Sequence, residues 1–273
     1  DYDRSIDRGI PKGADKKPAT ELNSIVSGDP DLNKSEFESL SFRALLQHSF
    51  SDTLKGIFTA SYTDYDKMYQ NFYASSYSDG APDQVTLDGY KDTTQRDNLV
   101  LSGNLVAELE SGDIKHTLLF GAELIDSSSK NDRYNPGFSD TTDVDSKTGL
   151  PVTDKQTMTL ANLAAMSNGV VTNINGVVST ASFAGAANLN DDTSTDLSVF
   201  SLYVQDEIEL SDQLTVVLGA RFDSFDIEVT DNEPGAADSG SQKDEELTPR
   251  AGIVYKQDEN ISLYASYSQT FVP

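Results

Sequence analysis

Four aromatic residues stand close together in a polar stretch of the chain and could form a binding surface for a small organic ligand. Tyr69, Phe72, Tyr73 and Tyr77 lie within residues 66–94, whose composition predicts a loop. Aromatic rings with a few polar groups are the usual lining of small-molecule sites. We therefore predict that these rings bind a ligand. The alternatives are packing within the loop or an aromatic belt at a membrane surface.

Five charged residues fall on the polar side of predicted strands, where they could form ion pairs. They are Arg43, Glu123, Arg221, Asp223 and Arg250. Charged groups that leave water need partners of opposite charge. We expect these side chains to face the interior of the fold and to pair there, and we favour pairing over contact with a substrate.

No residue pattern predicts catalysis or a resident metal. His48 and His116 both fall on the apolar side of predicted strands, near turns, and neither has the Ser-His or HExxH context of an enzyme site. The sequence also lacks a P-loop and a GxGxxG motif. Residues 143–149 are spaced somewhat like a calcium loop, but Lys147 stands where an EF-hand needs an oxygen ligand. We predict that the protein is not an enzyme and has no cofactor.

A hairpin predicted within residues 197–226 is the main element of the scaffold. Apolar and polar residues alternate through both halves, which is the period-two pattern of β-strands. A turn at residues 211–213 gives these opposite pairs: Leu210 with Leu214, Ile208 with Val216, Leu202 with Phe222, and Tyr203 with Arg221. Asp206 shares the parity of the apolar residues, so we expect a β-bulge there or a position at the rim of the apolar residues, which would be the periplasmic rim if the strands cross an outer membrane.

Three further hairpins show the same alternation. They lie at about residues 40–62 with a turn at 51–53, at 96–126 with a loop at 110–113, and at 251–267 with a turn at 257–259. The loop at 110–113 would place Phe120 opposite Gly103, where the ring could cover the glycine.

Short and long connections alternate along the chain. The predicted long loops cover about residues 1–38, 66–94, 127–195 and 230–246. The third loop could contain a small hairpin at residues 168–179, built on Asn175-Gly176. Bacterial outer-membrane barrels have short periplasmic turns and long extracellular loops. We therefore predict an all-β fold, an antiparallel transmembrane β-barrel of which about eight strands are present, with both ends of the chain outside the cell.

Composition agrees with this fold class and excludes some partners. The 273 residues carry 20 basic and 45 acidic side chains, a net charge of -25, with no Cys and no Trp. Nucleic acid binding needs clustered Lys and Arg, so nucleic acid is excluded as a partner. A mean hydropathy of -0.44 is compatible with a barrel because its apolar residues occupy alternate positions. Because the chain opens without a signal peptide, we expect the native start to lie earlier.

Four stretches of the chain resemble motifs of a known family. They are Tyr203-Val-Gln-Asp-Glu207, Leu218-Gly-Ala-Arg-Phe-Asp223, Thr248-Pro-Arg-Ala-Gly-Ile-Val-Tyr255 and Leu263-Tyr-Ala-Ser-Tyr-Ser-Gln-Thr-Phe-Val-Pro273. In these stretches the chain resembles the TonB-dependent ferric-siderophore receptors, in particular the hydroxamate-type branch. Asp7-Arg-Gly-Ile-Pro11 is similar to a further family element. The resemblance covers most of the chain except about residues 140–190.

This resemblance implies a barrel of roughly 22 strands whose interior is closed by a plug. Residues 1–273 would be part of the barrel domain, without the plug, the TonB-contacting segment and the final strands. Such receptors lie in the outer membrane of Gram-negative bacteria, bind a ferric siderophore outside and import it with energy from TonB. The implied partners are therefore a ferric siderophore, the TonB complex and outer-membrane lipid, and the interior charges could also pair with the plug.

The resemblance also explains why no metal ligands are expected. The Fe³⁺ of a siderophore already has hard oxygen ligands, so the receptor needs aromatic and polar surface around the chelate. Two other classes stay open, which are a porin or adhesin barrel without a plug and a soluble all-β binding module. Heme, cobalamin or a glycan also stay open as cargo.

Overall fold

The computed structural model describes residues 10–13, 15–22, 33–137, 155–161, 189–233 and 238–271. These residues form a 3-10 turn at Thr20–Leu22 and nine β-strands. The strands are β1 (Lys34–Ser49), β2 (Leu54–Ser78), β3 (Gln84–Ser111), β4 (Ile114–Tyr134), β5 (Gln156–Thr159), β6 (Leu189–Ser211), β7 (Leu214–Asp231), β8 (Gly240–Lys256) and β9 (Ser262–Ser268). In these ranges no helix has the length and apolar character needed to cross a membrane.

One antiparallel sheet contains all nine strands. Eight of them pair in the order β1-β2-β3-β4-β6-β7-β8-β9, and β5 pairs with β3. Strand β5 runs beside residues 84–87 of β3, beyond the point at Lys91 where the pairing of β3 with β4 ends. The predicted all-β antiparallel fold is therefore confirmed. The short strand β5 was not predicted, because it lies inside a predicted long loop.

The connection between β3 and β4 differs from the prediction. It is a two-residue turn, Gly112 and Asp113, in which Gly112 has a φ of 65°, a backbone conformation that favours glycine. The predicted loop at 110–113 is therefore wrong, and Phe120 lies opposite Leu105. Gly103 is instead opposite Phe58 of β2, whose Cδ2 lies 3.9 Å from where a glycine Cβ would stand.

The hairpin of β6 and β7 has most of its predicted register. Ile208 lies opposite Val216, Leu202 opposite Phe222 and Tyr203 opposite Arg221, as predicted. The pairing of Leu210 with Leu214 is wrong, because a register shift between Glu209 and Ser211 places Ser211 opposite Leu214. Of the two alternatives expected at Asp206, the bulge is not found, since Asp206 pairs regularly with Leu118 and Leu218. A position at the rim of the apolar residues stays a prediction.

The strands extend far into the predicted long loops, so the predicted loop boundaries are wrong. Residues 66–94 belong to β2 and β3 except for the connection at 79–83. Strand β1 begins at Lys34, β4 continues to Tyr134, β6 begins at Leu189, and only residues 232–239 separate β7 from β8. Backbone hydrogen bonds between neighbouring strands form whether the side chains are polar or apolar, so a polar stretch of sequence does not by itself end a strand. Residues 143–149 and 168–179 lie outside the described residues.

Alternation gives the sheet two different faces. We call apolar face the side that carries, in one row across the strands, Leu46, Phe58, Gly103, Ala122, Leu202, Phe222 and Leu247. Its side chains stay exposed, with Leu40, Phe42 and Leu46 at 69%, 64% and 65% exposure. The polar face is the opposite side, which carries Arg221. Because no described element covers the apolar face, the described strands do not turn their apolar residues onto a compact protein interior.

Within the described ranges, one small core cluster forms, at the end of the sheet away from the short turns. Its buried residues are Ala19, Leu22, Phe72, Ala74, Tyr77, Val85, Leu87 and Met158. Next to it, the side chain of Asn33 bonds to the backbone of Phe72, accepting from its N–H at 2.8 Å and donating to its carbonyl at 3.0 Å. This core cluster attaches residues 19–22 and β5 to the hairpin of β2 and β3.

Candidate functional site

The structure separates the four predicted ligand-binding aromatic residues into two pairs. Tyr69 and Tyr73 lie on the polar face, and Phe72 points to the opposite side. Tyr77 has the same parity as Tyr69 and Tyr73, but a register shift between Ala74 and Ser76 turns it to the side of Phe72. Parity counting therefore fails at this one bulge.

Phe72 and Tyr77 belong to the core cluster. They are 2% and 7% exposed, so both rings are occupied in packing. Burial and a hydrogen bond of 3.2 Å to Asp83 raise the pKa of Tyr77, which lies at the far end of β2 beyond the apolar residues. The prediction that Phe72 and Tyr77 bind a ligand is therefore corrected, because both rings pack inside the core cluster.

Tyr69 and Tyr73 meet a third ring that sequence reasoning did not select. Tyr90 of β3 stacks on Tyr69 with ring centroids 5.6 Å apart, and it meets Tyr73 edge-on at 6.2 Å. We call these three residues the tyrosine cluster. Tyr90 lies in the same aromatic stretch as the selected residues, and this was the sequence signal that could have identified it. Its contacts with Tyr69 and Tyr73 depend on the register of β2 with β3, which the prediction of a loop over residues 66–94 did not include.

A cation completes the tyrosine cluster. The guanidinium of Arg133 lies 5.0 Å from the ring centroid of Tyr90 and donates two hydrogen bonds to Asp92, at 2.6 and 2.7 Å. These bonds raise the pKa of Arg133, which lies near the end of β4, beyond the apolar residues. A cation held over a tyrosine face is a favourable arrangement, and together the groups could bind a planar or anionic part of a small molecule.

The side chain of Asn71 is buried beside the tyrosine cluster. Asn71 lies opposite Tyr90 and is 0% exposed, and among the described residues neither its Oδ1 nor its Nδ2 has a hydrogen-bond partner. Buried polar groups are almost always paired. The amide of Asn71 could therefore still donate and accept hydrogen bonds, because no described protein group bonds to it.

Three of the five predicted interior charges form one network on the polar face. Arg221 bonds to Glu123 of β4 at 2.9 Å and to Asp223 at 2.8 Å. The hydroxyl of Ser201 donates to Asp223 at 2.6 Å and accepts from Arg221 at 2.8 Å. The predicted pairing is thus found for these three residues. That they face the interior of a barrel stays a prediction.

Arg43 and Arg250 are not part of this network. Neither makes an ion pair within the described ranges, although both lie on the polar face. The side chain of Arg250 lies over Gly219, where a Cβ would stand 2.9 Å from its Nε. Tyr203 lies opposite Arg221, as predicted, and it also extends the network. Its ring lies 5.3 Å from the Arg221 guanidinium, and its hydroxyl donates a hydrogen bond to Asn104 at 2.7 Å.

The two histidines lie on the apolar face, as their parity predicts. His48 packs edge-on against Phe50 at 4.7 Å. His116 is 2.8 Å from Asp206 through Nδ1, a pairing that sequence reasoning missed because the two residues lie 90 positions apart. Asp206 therefore has a partner without any bulge. Among the described residues, no three His, Cys, Asp or Glu side chains are grouped so as to hold a metal.

Comparison with known proteins gives one family and several receptors. The family described as "TonB dependent receptor-like, beta-barrel" matches residues 1–273. The metal-pseudopaline receptor CntO of Pseudomonas aeruginosa is 24% identical over 253 residues, which are 90% of this chain and 31% of that protein. The probable TonB-dependent siderophore receptor PiuA of Acinetobacter baumannii is 27% identical over 182 residues, 66% of this chain and 22% of that protein.

Solved structures show the same fold. The crystal structure of PiuA matches with a TM-score of 0.65 at 21% identity, covering 97% of this chain and 38% of that one. The ferripyoverdine receptor of Pseudomonas aeruginosa, bound to ferripyoverdine, matches with a TM-score of 0.67 at 15% identity, covering 95% and 30%. The chain therefore spans about a third of the length of these proteins.

Proposed function

We propose, because the chain belongs to the TonB-dependent receptor-like β-barrel family, that it forms part of an outer-membrane receptor that imports a ferric siderophore with energy supplied by TonB. Its relatives are receptors rather than enzymes. The solved relatives include a receptor bound to ferripyoverdine, which supports a metal chelate as cargo. In this proposal the apolar face contacts lipid, the short turns are periplasmic and the long connections are extracellular.

The tyrosine cluster with Arg133 is the observation that supports a binding site in this chain. It lies on the polar face, in the halves of β2, β3 and β4 that are away from the short turns. In a receptor of this orientation it would stand at the outer mouth, where cargo arrives. A chelate whose metal already has its oxygen ligands needs rings, hydrogen bonds and a cation, and these are the groups that the cluster contains.

Which chelate is bound is a finer proposal. The four stretches that resemble the hydroxamate-type branch support a ferric hydroxamate, whereas the relatives found by comparison include receptors for pseudopaline and pyoverdine complexes. We propose that the cargo is a ferric hydroxamate. The test is to measure uptake of a labelled chelate while unlabelled chelates of different classes compete with it. A ferric hydroxamate should compete with the imported label, and a ferric catecholate should not.

The main experiment measures uptake of ⁵⁵Fe supplied as ferric hydroxamate, catecholate or hydroxycarboxylate. Cells with the intact gene, without it, and without TonB are compared. We expect uptake of one chelate class to require both the gene and TonB. Equal uptake in cells that lack the gene would contradict the proposal, and TonB-independent uptake would favour a barrel without a plug.

A second experiment tests the site itself. Tyr90→Ala in the intact receptor should weaken binding of the same chelate about tenfold, the effect of losing roughly 1.4 kcal/mol. Tyr264→Ala is the matched control, because that tyrosine lies on the polar face of β9, 84% exposed and away from the cluster. Equal affinity for wild type and the Tyr90 variant would remove the cluster from the binding site.

A further inference from the structure

A groove on the apolar face has no part in the proposed binding of cargo. It has a volume of about 340 Å³ and crosses strands β1 to β4. Two small residues directly opposite each other, Gly103 and Ala122, are part of its lining. Larger side chains on either side form its walls, among them Phe58 and Phe120.

The two glycines in this groove have different surroundings. At Gly56 a Cβ would stand 2.8 Å from Cε2 of Phe50, so the Phe50 ring already covers that backbone. At Gly103 the nearest heavy atom would be Cδ2 of Phe58 at 3.9 Å, so the space above its backbone stays open. The groove is therefore closed by Phe50 at one end and accessible at Gly103.

Polarity changes along the groove. Its lining is almost entirely hydrocarbon, and His48 is its one ionisable side chain among the described residues. His48 packs edge-on against Phe50 and lies one residue before the end of β1, next to the short turn. The groove thus has an apolar body and a polar end at the edge of the apolar face.

We infer that this groove binds one acyl chain of a phospholipid from the leaflet that meets the short turns. The groove is continuous with the face that the proposed function places against lipid, and its volume lies in the range of about 300–1,000 Å³ typical of small-molecule sites. A stable protein partner would need roughly 1,000 Å² or more of interface, which a narrow depression does not supply. The lipid headgroup would lie beside His48.

Native mass spectrometry of the intact receptor tests the inference. The receptor is released from nanodiscs of phosphatidylethanolamine and phosphatidylglycerol, and retained phospholipids are counted. Gly103→Leu fills the open part of the groove, and Ala60→Leu adds a side chain to the same face opposite Leu101, outside it. We expect occupancy of one bound phospholipid to be at least threefold lower in the Gly103 variant and unchanged in the Ala60 variant.

A second measurement keeps the inference testable if Gly103→Leu fails to insert. A phospholipid with a diazirine on its acyl chain is crosslinked to wild type and to Ala122→Phe. Labelling should concentrate within residues 46–58 and 103–122 of the wild type and fall in the variant. Equal retention in all variants, labelling spread evenly over the apolar face, or a dimer formed through this face would overturn the inference. Failure of the receptor proposal would appear instead as absent chelate uptake with the lipid still retained.

Discussion

The ring of Tyr203 lies directly on Gly121 of the neighbouring strand. Gly121 and Tyr203 are opposite residues of β4 and β6, and a Cβ on Gly121 would overlap Cε2 and Cζ of the tyrosine ring. This close contact lets the tyrosine hydroxyl cross β4 and reach Asn104 on β3, at 2.7 Å. One missing side chain therefore permits a link across three strands of the polar face.

Gly121→Ala should move the Tyr203 ring and break its hydrogen bond to Asn104. We expect a loss of about 1–3 kcal/mol in the free energy of unfolding, which is typical of overpacking. Urea unfolding of the intact protein in detergent, followed by heat-modifiable gel mobility, measures it. Gly252→Ala is the matched control, because a Cβ there would be 3.8 Å from its nearest neighbour. Equal losses in both variants would show that the ring contact is not the cause.

The alternation of apolar and polar residues predicted the sheet, but it did not fix the register of every pair of strands. The pairs Leu202 with Phe222 and Tyr203 with Arg221 followed from parity and one turn position. The turn at Gly112 has a two-residue form that parity does not reveal, so the register of β3 on β4 was displaced by two residues. A slip of two keeps every side chain on its face, which is why the faces were right while the partners were wrong.

The candidate site was less predictable for a different physical reason. Tyr69 and Tyr73 were selected as loop residues, yet they lie in a strand whose register with β3 places them around Tyr90. The bulge at Ser75 then moved Tyr77 to the opposite side. Contacts such as Arg133 with Tyr90 depend on three neighbouring strands, so no single stretch of sequence contains them.

Arg221→Met should destabilise the polar face by leaving Glu123 and Asp223 without their cation. Because the Arg221 side chain is 37% exposed, water screens part of the effect, and we expect a loss of about 1–3 kcal/mol rather than the larger cost at a fully buried pair. Arg43→Met is the control, since Arg43 forms no ion pair within the described ranges. Unfolding in urea should separate the two variants, and identical midpoints would contradict the network.

Asn71→Leu should stabilise the free protein, although it removes a polar side chain. Asn71 is fully buried, and no group in the described part of the chain bonds to either polar atom of its side chain, so it carries a desolvation cost of about 1–3 kcal/mol that leucine would relieve. The midpoint of urea unfolding should therefore rise. An unchanged or lower midpoint would mean that the amide has a partner in the native protein.

Asn33→Leu should have the opposite effect and serves as the comparison. Both residues are buried asparagines near the same end of β2, but Asn33 makes two hydrogen bonds to the backbone of Phe72. Replacing Asn33 by leucine would remove both of these hydrogen bonds to a buried backbone, at a cost of about 1–3 kcal/mol. Measured side by side, the two variants should shift the unfolding midpoint in opposite directions, and a shift in the same direction would refute the argument from pairing.

His116→Leu should leave Asp206 as an isolated carboxylate on the apolar face. The two side chains are 26% and 24% exposed, and Oδ1 of Asp206 already lacks a hydrogen-bond partner among the described residues. Removing His116 takes away the one bond that its other oxygen makes in the described part of the protein, so we expect a loss of about 1–3 kcal/mol. Asp206→Leu should cost less, because its strand neighbours Leu118 and Leu218 can pack against leucine.

The double variant decides whether the pair stabilises the sheet or only avoids an isolated charge. Replacing both members of a half-buried pair by apolar residues is often neutral or stabilising, whereas removing one member is not. We expect His116→Leu with Asp206→Leu to unfold at or above the wild-type urea midpoint, so that the two single losses are strongly non-additive. If the double variant instead loses the sum of the two single effects, then His116 and Asp206 act independently, and the contact between them contributes nothing to stability.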